Sequence, residues 1–439
     1  MDQSQPNAAL PTITSRADVQ PALDALGEQN ASNVFEIVMA ASVALGASDI
    51  HIDGVQAGGR VRMRIDGILY DIASLDEHME RLILSRVKLM SGLKLNISGT
   101  PQEGSFPLPQ QDRTIDVRVS TLPSDFGEDI AMRLLDPASL LTMDLLGVRD
   151  DLRAHLETQL KKPLGLIVVT GPTGSGKTTT LYAALTYLHN ESVKIITIED
   201  PIEYRLEGIS QTQVNEDADY SFESGLKAIL RQDPDIVMLS ELRDRDSADA
   251  ALQASLAGRR VLSTLHTNDA AGAIPRLIDM GANAEAIASG LTGVIAQRLL
   301  RRLCEGCRVS RALTPEERTV IEPVWQSLPE TLRTTSLPET IFDAGAGCAA
   351  CSETGYKGRI GVFELFSNDD ALQETIMERP AEEKLRELLI ERGMTTMHQD
   401  ALLRVVQGVT TISEIERVLG AFGSPSAPRD ESTHAEVAP

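Results

Sequence analysis

An apolar run that feeds a glycine loop and leaves it as a helix limits this chain more than any other stretch. Leu166-Ile167-Val168-Val169-Thr170 reads as a buried strand, Gly171-Pro172-Thr173-Gly174-Ser175-Gly176-Lys177 as a tight turn, and Thr178 to Leu188 as a helix. Glycines let the backbone curl without Cβ clashes, so successive N–H groups turn inward on an anion. The helix N-terminus adds the positive end of its dipole. With Lys and Thr at these places, the spacing predicts a phosphate cradle running from Gly171 through Thr178 to Thr179. Lys177 is expected to bridge the β- and γ-phosphates of a nucleotide, and the Thr178 hydroxyl to ligate Mg²⁺.

Further apolar runs, Val193–Ile198, Ile236–Leu239 and Val261–Leu265, alternate with helical segments between residues 150 and 300. That pattern predicts an α/β fold with a parallel sheet covered on both faces. Two of the runs end in acids. Asp235 to Glu241 brings Glu241 to where a carboxylate can hold the Mg²⁺ shell. Val193 to Asp200 places Glu199 to orient or deprotonate an attacking water.

The rest of the chain divides by pattern. Residues 1–30 and 421–439 are polar and read as tails with little structure. Residues 31–140 open with an apolar-periodic helix, Val34 to Leu45. Alternating segments follow, Val61-Arg62-Met63-Arg64-Ile65 and Ile115-Asp116-Val117-Arg118-Val119, so a small α+β domain is expected. A linker at 141–150 leads to the α/β domain at 151–300. Residues 366–420 read as helical, with Thr411-Ile412-Ser413-Glu414 as a capping box.

Residues 301–365 hold all four cysteines, as Cys304-x-x-Cys307 and Cys348-x-x-Cys351 with forty residues between the pairs. Two such knuckles can gather four thiolates around one tetrahedral Zn²⁺ with no position left for water, a structural rather than a catalytic site. Gly306 and Gly347 beside them suit tight turns. Charge excludes other classes. With 41 basic and 64 acidic residues the net charge is −23, which argues against nucleic acid or an anionic bilayer as a partner of the whole surface. Arg298, Arg301 and Arg302 form a candidate local basic patch. The N-terminus lacks a basic and apolar leader, and no window holds eighteen consecutive apolar residues, so a cytoplasmic chain is expected.

Several stretches together carry a resemblance. Thr197-Ile198-Glu199-Asp200-Pro201-Ile202-Glu203-Tyr204 looks like the Asp box of secretion ATPases. Leu230 to Asp235 running on to Glu241-Leu242-Arg243-Asp244 looks like their Walker B, and Ser263-Thr264-Leu265-His266-Thr267-Asn268-Asp269-Ala270 like their His box. Ala47-Ser48-Asp49-Ile50-His51-Ile52 resembles the start of the domain preceding the motor. The chain resembles the general secretory pathway protein E family of type II secretion, with pilus-assembly and pilus-retraction ATPases as relatives. The likeness implies a RecA-like P-loop NTPase core after a PAS-like α+β domain, a tetracysteine zinc module and a C-terminal helical region. It implies a homohexamer that hydrolyses ATP with Mg²⁺ to drive pseudopilus assembly. Its implied partners are an inner-membrane platform and bitopic cytoplasmic-docking proteins, which hold it peripherally at the cytoplasmic side of the inner membrane. His266 would sense the γ-phosphate, and Arg118 and Arg133 would complete the nucleotide site. A type IV pilus or competence pseudopilus ATPase is the alternative. A nucleic-acid translocase and a non-hydrolysing nucleotide-gated scaffold stay open as further readings.

Three positions depart from the family pattern. Ser240 stands where glycine usually precedes the Walker B glutamate, and Gly258-Arg259-Arg260 replaces a Gly–His–Leu. Glu103-Gly104-Ser105 replaces an Asp-Gly-Arg, so one arginine is missing. A displaced Glu241 is one expected consequence. Many relatives carry a long N-terminal docking domain. Here about 30 polar residues precede the ring-forming part, so docking is expected elsewhere on the chain or through a separate chain.

Overall fold

The computed structural model describes residues 12–25, 31–333 and 336–422. The expected tails are therefore only partly in view, and residues 423–439 lie outside the described residues. The chain forms two compact units. One holds residues up to 139 together with Leu303–Arg308 and Ala344–Gly358. The other holds Leu140–Arg302, Val309–Asp343 and the chain from Arg359 onward.

The first unit contains α1 (Val19–Asp24), α2 (Ala31–Ala44), β1 (Ala47–Val55), β2 (Gly58–Ile65), β3 (Ile68–Leu75), α3 (Glu77–Met90), β4 (Gln102–Pro109), β5 (Thr114–Ser124) and β6 (Gly127–Leu135). Its six strands lie in the order β3-β2-β1-β6-β5-β4, each pair antiparallel. Alternation sets which face is buried. In β5, Ile115, Val117 and Val119 point inward while Thr114, Asp116 and Ser120 are exposed. The inward residues meet Val34, Ile37 and Val38 of α2 and Ile83 and Val87 of α3 in one core. Val19 and Leu23 of α1 are buried in that core as well, so the polar stretch expected to lack structure is helical over 16–24. Val19, Ala22 and Leu23 at helical spacing, with Ile13 before them, dock it, a signal too short to read beside its prolines.

The second unit contains α4 (Asp150–Leu160), β7 (Gly165–Thr170), α5 (Lys177–Leu188), β8 (Ile195–Glu199), β9 (Ser210–Gln213), α6 (Phe222–Leu230), β10 (Ile236–Leu239), α7 (Arg245–Leu256), β11 (Arg260–Leu265), α8 (Ala273–Asp279), α9 (Ala284–Gly290), β12 (Leu291–Leu303), β13 (Val309–Ala312), α10 (Pro315–Gln326), β14 (Thr340–Asp343), β15 (Tyr356–Ser367), α11 (Asp370–Met377), α12 (Glu382–Glu391), α13 (Met397–Val406) and α14 (Ile412–Leu419). Its main sheet has the order β15-β12-β7-β11-β10-β8-β9. The pairings β12–β7, β7–β11, β11–β10, β10–β8 and β8–β9 are all parallel. Every residue of β7, β8 and β10 is buried, as strands covered on both faces require.

The stretches 141–150, 301–365 and 366–420 contribute side chains to larger cores. Met143 and Leu146 of the expected linker are buried with Leu156 and Leu185. Residues 309–343 bring Ile321, Trp325 and Ile341 into the core of the sheet, and α11 to α14 bring Leu372, Leu385, Leu402 and Ile415. Arg149 donates to the fully buried Asp400 at 2.8 Å and so ties α13 to the segment before α4. Thr411 caps α14 by accepting from Glu414 N–H at 3.1 Å. The Glu414 carboxylate does not complete the expected box. It is buried and takes the guanidinium groups of Arg301 at 2.8 Å and Arg417 at 2.6 Å, and the Arg301 backbone N–H at 2.9 Å. Arg301 is thereby removed from the expected basic patch.

Candidate nucleotide and metal sites

The loop between β7 and α5 is built by its glycines and held from behind. Gly176, the residue before α5, has φ +89°, and a Cβ there would lie 2.9 Å from Gln297 Nε2. Gln297, on β12, donates to Ser175 O at 2.6 Å and accepts from Thr180 Oγ1 at 2.6 Å, so its buried amide joins the loop to the first turn of the helix. The sequence gives no local sign of this role. The free N–H groups of a helix's first turn point toward the loop, so the loop suits an anion. Ser175 Oγ is buried without a partner, a polar atom set aside in the same loop. Lys177 Nζ donates to Gly171 O at 2.8 Å and Pro172 O at 3.0 Å. Burial brings its pKa down to about 8, and the attraction of Glu241 only partly opposes this, so desolvation wins over Coulomb attraction. A partly stripped ammonium is a strong point charge for phosphate.

The structure joins Glu241 and His266. His266 Nε2 lies 3.2 Å from Glu241 Oε1, and Arg243 Nε donates to Glu241 Oε2 at 3.2 Å. These bonds, His266's first, bring the Glu241 carboxyl down to about 2, so it is ionised at any ordinary pH and able to hold a cation. The residue before it, Ser240, is held by its backbone. Ser240 N–H donates to Ile198 O at 3.0 Å and its carbonyl accepts from Thr264 Oγ1 at 2.7 Å, so the backbone sets the direction of the next side chain. The two arginines at the other departure are also in use: Arg259 pairs with Asp233 at 2.9 Å, and Arg260 donates to Lys162 O at 2.6 Å beyond the end of α4. Thr267 N–H, beside His266, donates to Thr170 Oγ1 at 2.9 Å, which anchors the histidine loop to the strand feeding the glycine loop.

Glu199 is not brought to Glu241 and His266. It is 1% exposed, and Thr197 Oγ1 donates to its Oε1 at 2.6 Å, with Gln211 Nε2 at 3.0 Å on the same oxygen. Tyr182 OH donates to the other oxygen. The same hydroxyl accepts from Glu203 N–H at 3.3 Å. Glu203, four residues on, exerts an attraction on Lys177. The two acids of this segment therefore differ in what holds them: the Glu199 carboxylate is buried among Thr197, Gln211 and Tyr182.

Arg118 and Arg133 lie in the first unit, directly opposite one another on β5 and β6. Arg133 faces Asp49 on β1 and donates to it at 2.9 Å, while Ser105 faces Arg118 on β4. The side chain of Arg133 is nevertheless 61% exposed, so its guanidinium has open directions left.

Also in the first unit, the four cysteine sulfurs lie within 4.8 Å of one another, the one such cluster of three or more metal-ligating side chains among the described residues. Sγ separations are 3.7 Å for Cys304–Cys348, 3.8 Å for Cys307–Cys351 and 3.8 Å for Cys348–Cys351. A tetrahedron with Zn–S bonds of about 2.3 Å has edges of about 3.8 Å, so the donor set fits zinc. Cys351 Sγ accepts N–H bonds from Cys348 at 3.2 Å and Gly355 at 3.3 Å. Against burial, these bring its thiol down to about 6, toward the thiolate a metal needs. Gly347 has φ +95°, and a Cβ there would meet Glu353 C at 2.5 Å. Arg16 reaches the module from the N-terminal segment and donates to Ser352 O at 3.0 Å. Gly358 N–H donates to Asp66 at 2.8 Å.

Residues 25–417 match the Type II/IV secretion system protein family. The type II secretion system protein HxcR of Pseudomonas aeruginosa is 42% identical over 405 residues, covering 91% of this chain and 80% of that protein. The type II secretion system ATPase E of Vibrio cholerae is 42% identical over 386 residues, covering 88% and 74%. Among solved structures, the pilus retraction motor PilT with bound ADP aligns at a TM-score of 0.57 and 27% identity, over 88% of this chain and 96% of that one. The ATPase DotB of Legionella pneumophila aligns at 0.63 and 18% identity, over 87% and 94%, a likeness of fold.

Proposed function

The chain belongs to the Type II/IV secretion system protein family, and from that premise we propose that it is the ATP-hydrolysing motor of a type II secretion machine, turning ATP into ADP and phosphate to drive pseudopilus assembly. The observation that carries this is the glycine loop that holds Lys177 on its own carbonyls and is steadied from behind by Gln297, together with a Glu241 carboxylate bonded to His266 and Arg243. Relatives at 42% identity named for type II secretion favour that machine over a pilus. We place it as a homohexamer working against inner-membrane platform and bitopic docking proteins at the cytoplasmic face. Among the described residues no helix is long and apolar enough to cross a membrane.

Each role follows from position. Loop amides and Lys177 hold the β- and γ-phosphates, with residues 171–179 as the cradle. Thr178 and Glu241 would hold Mg²⁺, which would offset charge on the transferred phosphoryl group. His266 reports the terminal phosphate through its contact with Glu241. Arg118 and Arg133 offer guanidinium charge to a nucleotide. We assign the proton of the attacking water to Glu203 rather than Glu199, because the charge of Glu203 acts on Lys177 while Glu199 is tied to Tyr182, which also accepts the Glu203 N–H.

Phosphate release should require Mg²⁺ and rise with protein concentration as rings assemble. ATP binding without release at every concentration would select the non-hydrolysing scaffold. Glu203→Gln is expected to lower kcat by about a hundredfold or more. Glu199→Gln should act mainly by lowering the melting temperature, since an amide NH₂ would then face a donor. The reverse ranking of the two variants returns the base to Glu199.

The lowered Lys177 pKa also fixes a pH dependence. Phosphate favours the ammonium, whereas the free loop holds it as a neutral amine above about pH 8. ADP binding should therefore take up close to one proton at about pH 9 and almost none at about pH 7, with affinity falling about tenfold per pH unit at the alkaline end. Calorimetry in two buffers of different ionisation enthalpy measures the uptake. Equal heats in both at pH 9 would rule the linkage out.

A further inference from the structure

The loop that carries His266 is gripped from several directions. Asn268 Oδ1 accepts from Arg298 Nη2 on β12 at 3.3 Å. Ala270 N–H donates to Glu364 Oε2 on β15 at 3.0 Å, and Glu364 Oε1 accepts from Met397 N–H, the first residue of α13, at 3.0 Å. Asp269, between them, is 5% exposed. Its Oδ1 accepts from Gly272 N–H at 2.9 Å, and its Oδ2 takes both Nε, at 3.1 Å, and Nη2 of Arg386 on α12.

Electrostatics explains why an arginine is there. Asp269 and Glu364 are both buried and repel one another, and burial with that repulsion pushes the Glu364 carboxyl up to about 7. Negative charge on Asp269 is costly in such a place unless a cation lies against it. Arg298 supplies part of the charge but leaves its Nη1 without a partner. Arg386 supplies a two-pronged contact to Asp269, with Glu382 of its own helix also on Nη2, and it comes from a helix that touches neither the glycine loop nor Glu241 in any bond described above.

We infer that Arg386 is a positioning residue for hydrolysis: by clamping Asp269 from α12 it holds the histidine loop so that His266 meets Glu241, and it couples that loop to the C-terminal helices. This rests on the role given to His266 above. Without the clamp the loop stays tethered at Thr267 but His266 samples other directions. Turnover suffers while the nucleotide cradle, held by Gln297, does not.

The test is a double-mutant cycle on the full-length chain at ring-forming concentration, with kcat, KM for ATP and melting temperature measured together. Arg386→Met is expected to lower kcat about tenfold and leave KM within about twofold. In a His266→Ala background the same change should cost less than about twofold, because the loop's orientation then no longer matters. Arg386→Lys should recover only part of the loss, since it keeps charge but not the fork. Asp269→Asn, which keeps an acceptor for Gly272, should reproduce Arg386→Met and carries the cycle if that variant fails to fold. If the two losses multiply in the double variant, the clamp acts independently of His266 and the inference is wrong, while the function proposed above stands. If His266→Ala alone leaves kcat unchanged, the role of His266 falls and the inference with it.

Discussion

Lys177→Ala is expected to remove ATP turnover by about a thousandfold or more while leaving the fold intact. The size follows from what the side chain is doing. Its ammonium is held against two loop carbonyls in a partly buried place where its charge is already costly. Binding a phosphate converts that cost into a gain, and the gain grows as charge moves onto the leaving oxygen in the transition state. Alanine leaves Gly171 O and Pro172 O to water at the loop's open side and disturbs nothing behind the loop, where Gln297 still bridges Ser175 and Thr180. Melting temperature should change little. Lys177→Arg tests geometry separately from charge, because a planar fork cannot occupy the place of a compact ammonium. It too should lose most turnover. Phosphate release by Lys177→Ala at the rate of the unmodified chain would remove the ATPase assignment.

The second large effect concerns the cysteines. The purified chain should carry one zinc, and Cys304→Ser with Cys348→Ser should abolish it. Structural zinc contributes on the order of ten kcal/mol in small domains, more than the two loops 303–308 and 344–358 can recover from packing alone. Both loops should then become sensitive to protease. Because Arg16 bonds to Ser352 O and Asp66 to Gly358 N–H, the loss should spread. Hydrogen exchange should quicken in residues 12–25 and at the β2–β3 turn, but not in α5. A chain that holds no metal when prepared without chelator, and whose double variant melts unchanged, would exclude the zinc.

The glycine loop was legible because strand, turn, lysine and helix are contiguous, and backbone geometry there depends on little else. The strands β7, β8, β10 and β11 are equally plain, since covering on both faces demands unbroken apolar runs. β9 is hidden in the sequence for the opposite reason: Ser210-Gln211-Thr212-Gln213 is an edge strand that needs no apolar face. The acids show the limit of local reading. That Glu199 ends a strand can be read from its neighbours, but Tyr182 and Gln211 draw it inward, and neither is near it in sequence. Asp269 and Arg386 belong to the same class, meeting only once the C-terminal helices have packed on the sheet.

Strand β12 serves several masters within a few residues. Gln297 steadies the glycine loop, Arg298 reaches the histidine loop, and Arg301 engages Glu414 at the start of α14. The pleat sends neighbouring side chains to opposite sides, so these duties are separable under substitution but not under a change of length. Losing a single residue ahead of Gln297 would reverse every one of them at once, which makes this short stretch tolerant of chemical drift and intolerant of frame-preserving deletion.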